Sequence, residues 1–74
     1  MTDKEQVLNV YPEAKLFEDW WAKTNFYRYR NAGIKIKGGW LVIGHPSNTK
    51  KSVDEIWTEG WKIIQCDMLR KLES

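Results

Sequence analysis

Hydrophobic and polar positions along the chain change period twice, and each change marks a change of element. Residues 12–23 carry Leu16, Phe17, Trp20 and Trp21 at i, i+1, i+4 and i+5. That spacing makes one apolar stripe on a helix. Glu13, Lys15, Glu18, Asp19 and Lys23 take the remaining surface. Pro12 suits a first helical position, where its missing N–H costs nothing. Glu13 in the first turn and Lys23 in the last complement the helix dipole. The pattern predicts a helix from about Pro12 to Lys23.

From Phe26 the period drops to two. Tyr27 and Tyr29 alternate with Arg28 and Arg30, and Ile34 and Ile36 alternate with Lys35 and Lys37. Alternation of this kind reads as half-buried strand. Asn31-Ala32-Gly33 and Gly38-Gly39 read as turns between strands. Trp40-Leu41-Val42-Ile43 is apolar throughout, as a well-covered strand would be. A three-stranded antiparallel meander is the expected arrangement. One long hairpin of 34–38 with 40–44, with 26–30 irregular, is the alternative.

Residues 45–51 form a loop by composition. Ser52-Val53-Asp54-Glu55 then fits a capping box, in which Ser and Glu side chains satisfy free amides at a helix start. A helix from about Val53 to Leu72 follows. Val53, Ile56, Trp57, Gly60, Trp61, Ile63, Ile64, Met68 and Leu72 share its broad apolar face. Glu55, Thr58, Glu59, Lys62 and Cys66 lie opposite. Gly60 in the middle of that face costs roughly 1 kcal/mol against Ala. A close neighbour is the expected compensation, with Trp20 or Trp21 as the ring that fills the gap.

The expected fold is α+β, a single small domain of order α-β-β-β-α. Two helices pack on one face of a short antiparallel meander. Residues 1–10 are read as a loosely ordered lead-in to the domain at 11–74. Within the lead-in, Thr2 and Glu5 could cap a short helical turn. Val7, Leu8 and Val10 offer it some apolar surface.

Length sharpens the picture. A chain of 74 residues buries only roughly 60% of its unfolded surface, so such folds usually need a staple. Cys66 is the single cysteine and His45 the single histidine. An intramolecular disulfide and a Cys/His zinc site are both ruled out. An aromatic-rich core or an oligomer remains. Five tryptophans favour the first, with Trp20, Trp21, Trp57 and Trp61 on inward stripes. A homodimer stays open. No stretch reaches the ~20 apolar residues of a membrane span. The charged N-terminus lacks a signal-peptide core. A cytoplasmic, reducing location is expected, and no membrane partner.

Charge and candidate chemistry change the picture little. The net charge of +2 is too small to argue nucleic-acid binding in bulk. Locally, Arg28, Arg30, Lys35 and Lys37 interleave with Phe26, Tyr27, Tyr29 and Trp40. Single-stranded nucleic-acid binders combine cations with stacking rings in this way. On adjacent strands the four cations would share a solvent face, which also describes an ordinary amphipathic sheet. Lys50 and Lys51, with Ser47, Asn48 and Thr49, precede a helix N-terminus. The Gly-rich pattern of a phosphate loop is absent there. His45 has no catalytic partner in reach of its element. Cys66 falls on the polar side of the last helix, away from His45, and reads as a quiet thiol. Asp67 projects toward the apolar edge of that helix and calls for a partner such as Arg28, Arg30 or Lys23. No acid–base pair, metal cluster or nucleotide loop emerges. A non-enzymatic protein with no cofactor is expected.

The two Trp-bearing segments resemble a pattern in small bacteriophage and prophage proteins. Phe17-Glu18-Asp19-Trp20-Trp21-Ala22-Lys23 is similar to their FEAW(W/Y) helix. Ile56-Trp57-Thr58-Glu59-Gly60-Trp61-Lys62 is similar to their later AW.AW helix, with Gly60 where Ala is common. A variable β-like middle separates the two. The resemblance covers these two stretches and implies a context, an early-region accessory protein, with no settled activity and no catalytic residue.

The leading expectation is a small interaction protein that binds a host or phage protein. Its candidate surface is Tyr27, Arg28, Tyr29, Arg30, Lys35, Lys37 and Trp40. A nucleic-acid-binding module using the 26–40 hairpin is the alternative. Of the aromatics, Tyr11, Tyr27, Tyr29 and Trp40 are the candidates for exposure, and Trp40 is the tryptophan placed to act on a partner.

Overall fold

The computed structural model describes residues 1–24, 27–45, 48 and 50–73, and side chains among these except at 20–24, 27–29 and 73. The order is α1 (Asp3–Val10), β1 (Lys15–Thr24), β2 (Tyr27–Ile36), β3 (Gly39–His45) and α2 (Val53–Glu73). The sheet is an antiparallel meander, β1-β2-β3. The α-β-β-β-α class expected from the sequence is therefore the fold. Three of the segments filling it differ from the expectation.

The first helix is at the N-terminus, in the segment read as a lead-in. Thr2 caps it: its hydroxyl accepts the Glu5 N–H at 3.2 Å. The Tyr11 N–H closes the last turn on the Val7 carbonyl at 2.8 Å. Pro12 follows directly, and proline commonly sits just past a helix end because it cannot continue one. Pro12 thus stops α1 instead of starting the helix expected at 12–23.

That expected helix is β1. Leu16, Phe17, Trp20 and Trp21 satisfy a helical stripe and do not alternate, although aromatics favour strands. What decides is the partner. β1 pairs with β2 along nearly its whole length, from Lys15 opposite Lys35 to Thr24 opposite Tyr27. A helix at 12–23 would leave that edge of β2 without this ladder.

Asn31-Ala32-Gly33 is the third difference. It lies inside β2 and is not a turn. Gly33 is there because β3 crowds it. A Cβ on Gly33 would stand 2.4 Å from the Val42 carbonyl oxygen and 2.7 Å from the Gly44 nitrogen. The register slips at this place: Ala32 faces His45 and Ile34 faces Val42, so β3 carries one extra residue. Glycine in a strand often marks such a bulge. The turn at Gly38 is as expected, with a φ of 86° that glycine tolerates.

α2 begins as its capping box predicts: the Ser52 hydroxyl accepts the Glu55 N–H at 3.2 Å. It lies against β2 and β3, and α1 packs beside it. The core gathers Val7, Ala14, Ala32, Ile34, Leu41, Val42, Ile56, Trp57 and Ile64, with Leu8, Tyr11, Leu16, Ile36 and Trp61 at its margin. Tyr11, a candidate for exposure, is one of these marginal residues. The Thr58 hydroxyl donates to the Asp3 carboxylate at 2.7 Å, joining the two helices. Gly60 sits over the sheet's aliphatic side chains. Among the described residues its nearest neighbours are Ile34 Cδ1, Leu41 Cδ2 and Val42 Cγ2. Those methyls stand in the space a Cβ would take. The roles expected of Trp20 and Trp21 in the core fall on side chains outside the described residues.

Two parts reach beyond this core. Past Asn31 toward Tyr27, β2 pairs with β1 alone, because β3 ends opposite Ala32. On α2, every described residue beyond Ile64 is exposed. The radius of gyration is accordingly 13.9 Å, against roughly 11 Å for a compact chain of this length.

Candidate interaction surface

The sheet has one face under α2 and one face open. On β2, Arg30, Ala32, Ile34 and Ile36 share the parity of the core, and Asn31, Gly33 and Lys35 the parity of the open face. Because β2 runs unbroken from Tyr27 to Ile36, the four expected cations do not share one face. Arg28 and Arg30 have the parity of Ile34; Lys35 has the opposite one. Arg30 is drawn inward. Its guanidinium donates to the Glu18 carboxylate at 3.3 Å and to the Asn48 carbonyl at 3.5 Å, and its side chain is 13% exposed. It serves the fold. The side chains of Tyr27, Arg28 and Tyr29 lie outside the described residues, as Phe26 does entirely.

The open face is organised around Gly33. Phe17 is its cross-strand partner on β1, and the place a Gly33 side chain would take is filled by the β3 backbone at Val42 and Gly44. Phe17 meets Trp40 of β3, with ring centroids 5.4 Å apart and planes at 81°. This edge-to-face arrangement is favourable for aromatic rings. Both remain open to solvent, Phe17 at 46% and Trp40 at 42%. Ile43 is exposed on the same strand as Trp40. Phe17 is the member of this surface that sequence reasoning missed. No alternation of 15–19 singles it out, because Leu16 and Phe17 are both apolar and Glu18 and Asp19 both acidic.

Lysines border the aromatic pair. Lys15 and Lys35 are directly opposite each other, and Lys35 is also the register partner of Trp40. The Lys35 ammonium stands 5.9 Å from the centroid of the Trp40 ring, within cation–π range. Lys15, Lys35 and Lys37 line a shallow pocket of about 320 Å³ with Glu13 and Ile36. The Glu13 carboxylate accepts the Lys37 backbone N–H at 3.4 Å. Among the described residues none of the three ammoniums is in an ion pair.

The other candidates are scattered. His45 ends β3, exposed and opposite Ala32. Cys66 is exposed on α2. Asp67 is exposed too, so it needs no buried partner, and Arg30 is paired with Glu18 instead. Lys51 pairs with Glu59, and Lys50 is exposed. Ser47 and Thr49 lie outside the described residues. Asn48 is buried and structural: its amide donates to the carbonyls of Ala32 and Ile43 at 2.7 and 3.0 Å.

Among the described residues no three His, Cys, Asp or Glu side chains gather where they could hold a metal ion. No helix there is long and apolar enough to cross a membrane. Of the two segments that resemble the phage pattern, Ile56–Lys62 is helical in α2, whereas Phe17–Lys23 is strand. No family model matches the chain, and no curated protein or solved structure matches it at a significant level.

Proposed function

We propose that this chain is a small, non-catalytic interaction protein that binds a protein partner through the open face of its sheet. The observation that carries the reading is the Phe17–Trp40 pair, two aromatic rings in contact and both open to solvent on the sheet. Large apolar side chains clustered in solvent mark interfaces, and tryptophan is the residue most enriched at binding hot spots. The motif resemblance of the α2 segment supports a phage or prophage setting, with a host or phage protein as partner.

The test is capture from bacterial lysate by the immobilised protein, beside its Trp40→Ala variant, with circular dichroism to show that both are folded. A specific partner retained by the first and lost by the second supports the reading. Equal capture by both, or none by either, overturns it.

A nucleic-acid-binding reading draws on one observation, the Lys35 ammonium beside Trp40. It requires affinity for single-stranded DNA that falls steeply with salt and falls again in Lys35→Gln.

A further inference from the structure

We infer that the partner presents an acidic segment, with its carboxylates against the ammoniums of Lys15, Lys35 and Lys37 and an apolar side chain against Phe17 and Trp40. This rests on the protein-binding reading above and names the chemistry that the surface would recognise.

Charge carries the argument. Lys15 and Lys35 are directly opposite on neighbouring strands, a placement that is unfavourable for like charges. Lys37 adds a third lysine to the same concave site, whose wall is formed by apolar side-chain stems with the charges at its rim, and Glu13 is the one acidic residue lining it. The pocket therefore keeps a surplus of positive charge that a partner's carboxylates would relieve. The surplus is local. On β1 the next exposed charge of the same parity as Lys15 and Phe17 is Asp19. The site thus runs from a cationic pocket, over an aromatic ridge, to a carboxylate.

That order suits a short peptide better than a nucleic acid. A polynucleotide needs cations continued along its backbone and ring faces free to stack bases. Among the described residues of β1, Lys15 is followed on the same parity by Phe17 and then Asp19, which would repel a phosphate. Arg30 is committed to the opposite face by Glu18. The two rings are nearly perpendicular, so they do not make parallel platforms for successive bases. Lys35 already stands over the Trp40 ring. A second copy is also a poor occupant of the pocket. The exposed apolar part of α2 with Met68, Leu69 and Leu72 carries Lys62, Arg70 and Lys71 against Asp67 and Glu73, so it offers the three lysines no surplus of carboxylates.

The experiment titrates the intact protein with a fluorescein-labelled peptide of Asp and Glu around one central Leu. Its counterpart has every acid replaced by the amide, and a third probe is oligo-dT of matched length. Expected is saturable binding of the acidic peptide that weakens with salt, with NMR shifts at the Lys35 amide and the Trp40 indole. The Lys15→Gln/Lys35→Gln double variant should lose roughly tenfold in affinity, the sum of two exposed charge contacts. Lys62→Gln/Arg70→Gln on α2 should lose none. No saturable binding, equal binding of the amide peptide, equal loss in the α2 variant, or tighter oligo-dT binding at Trp40 each overturns the inference. If lysate capture depends on Trp40 but not on Lys15 and Lys35, the acidic-segment inference fails and the protein-binding reading stands. If capture ignores Trp40 as well, both fail.

Discussion

The side-chain amide of Asn48 donates to the carbonyl oxygen of Ala32 at 2.7 Å, from a position that is itself buried. The same amide reaches the Ile43 carbonyl at 3.0 Å. Both carbonyls flank the bulge where the β2–β3 register slips. One loop residue therefore supplies, at the bulge, donors to both strands. Asn48→Ala should destabilise the fold by about 2 kcal/mol, since it removes the donor and leaves buried carbonyls short of a partner. Asn48→Asp should be no better, because a carboxylate offers these carbonyls no donor. Urea denaturation measures both, with an unchanged m-value if the loss is one of stability alone.

Two glycines make opposite predictions for the same substitution. At Gly33 a methyl would meet the backbone of β3, at the Val42 oxygen and Gly44 nitrogen. Backbone cannot yield without moving the strand, so Gly33→Ala should cost about 3 kcal/mol or more. At Gly60 the closest atom is Ile34 Cδ1 at 2.9 Å, the far end of a side chain. The crowding there is offset by the roughly 1 kcal/mol that Ala gains over Gly in a helix. Gly60→Ala should stay within about 1 kcal/mol of the parent. Equal costs at the two sites would contradict this account.

Arg30 should behave as part of the fold. Its guanidinium is held by Glu18 and by the Asn48 carbonyl, with little exposure. Arg30→Ala should lower stability by roughly 1 kcal/mol or more and leave acidic-peptide affinity unchanged. Glu18→Gln should lower stability by a smaller amount, since its carboxylate is partly open to solvent. A drop in peptide affinity without a drop in stability would place Arg30 in the interface instead.

Trp40 should behave the other way. Removing it gives up an edge-to-face contact of about 0.5–1.5 kcal/mol and little burial, because it is 42% exposed. Trp40→Ala should therefore keep the far-ultraviolet circular dichroism spectrum and most of the stability while abolishing partner capture. Phe17→Ala should weaken capture as well, through loss of the ring that Trp40 meets.

The two halves of α2 should differ sharply. Ile56 is fully buried between α2 and the rest of the core, whereas Leu72 is 83% exposed. Ile56→Ala should cost about 2–5 kcal/mol as a core truncation. Leu72→Ala should stay within about 0.5 kcal/mol in the monomer. If a homodimer covers the end of α2, the Leu72→Ala effect will instead grow with protein concentration, and sedimentation at several concentrations will show the association directly.

Much of the candidate surface was legible before folding, and the part that was not shows why. Lys35 and Lys37 could be placed on the solvent face of a sheet by alternation, and Trp40 beside them by its position at the Gly38-Gly39 turn. Arg30 could not be separated from them, because its face depends on whether β2 is one strand or two. Reading Asn31-Ala32-Gly33 as a turn reset the parity between Arg30 and Lys35. Gly33 looks like a turn residue in isolation, but its reason is the approach of β3, from residues far along the chain. Phe17 was lost for a related reason: adjacent aromatic pairs fit a helical stripe and a strand equally well.

By itself the sequence determined what local chemistry controls. The Ser52 capping box sets the start of α2, Gly38 makes the β2–β3 turn, and the alternation of Ile34 and Ile36 with Lys35 and Lys37 turns Ile34 into the core. The same local signals imply an order of helix, three strands and helix in a chain too short for other layers. Only the tertiary structure decided that 15–24 is a strand, that Pro12 ends a helix, and that Arg30 faces inward. Those outcomes rest on ladder hydrogen bonds, a bulge and an ion pair between distant segments. Each such contact is worth more than the weak propensity that separates helix from strand in the segment alone.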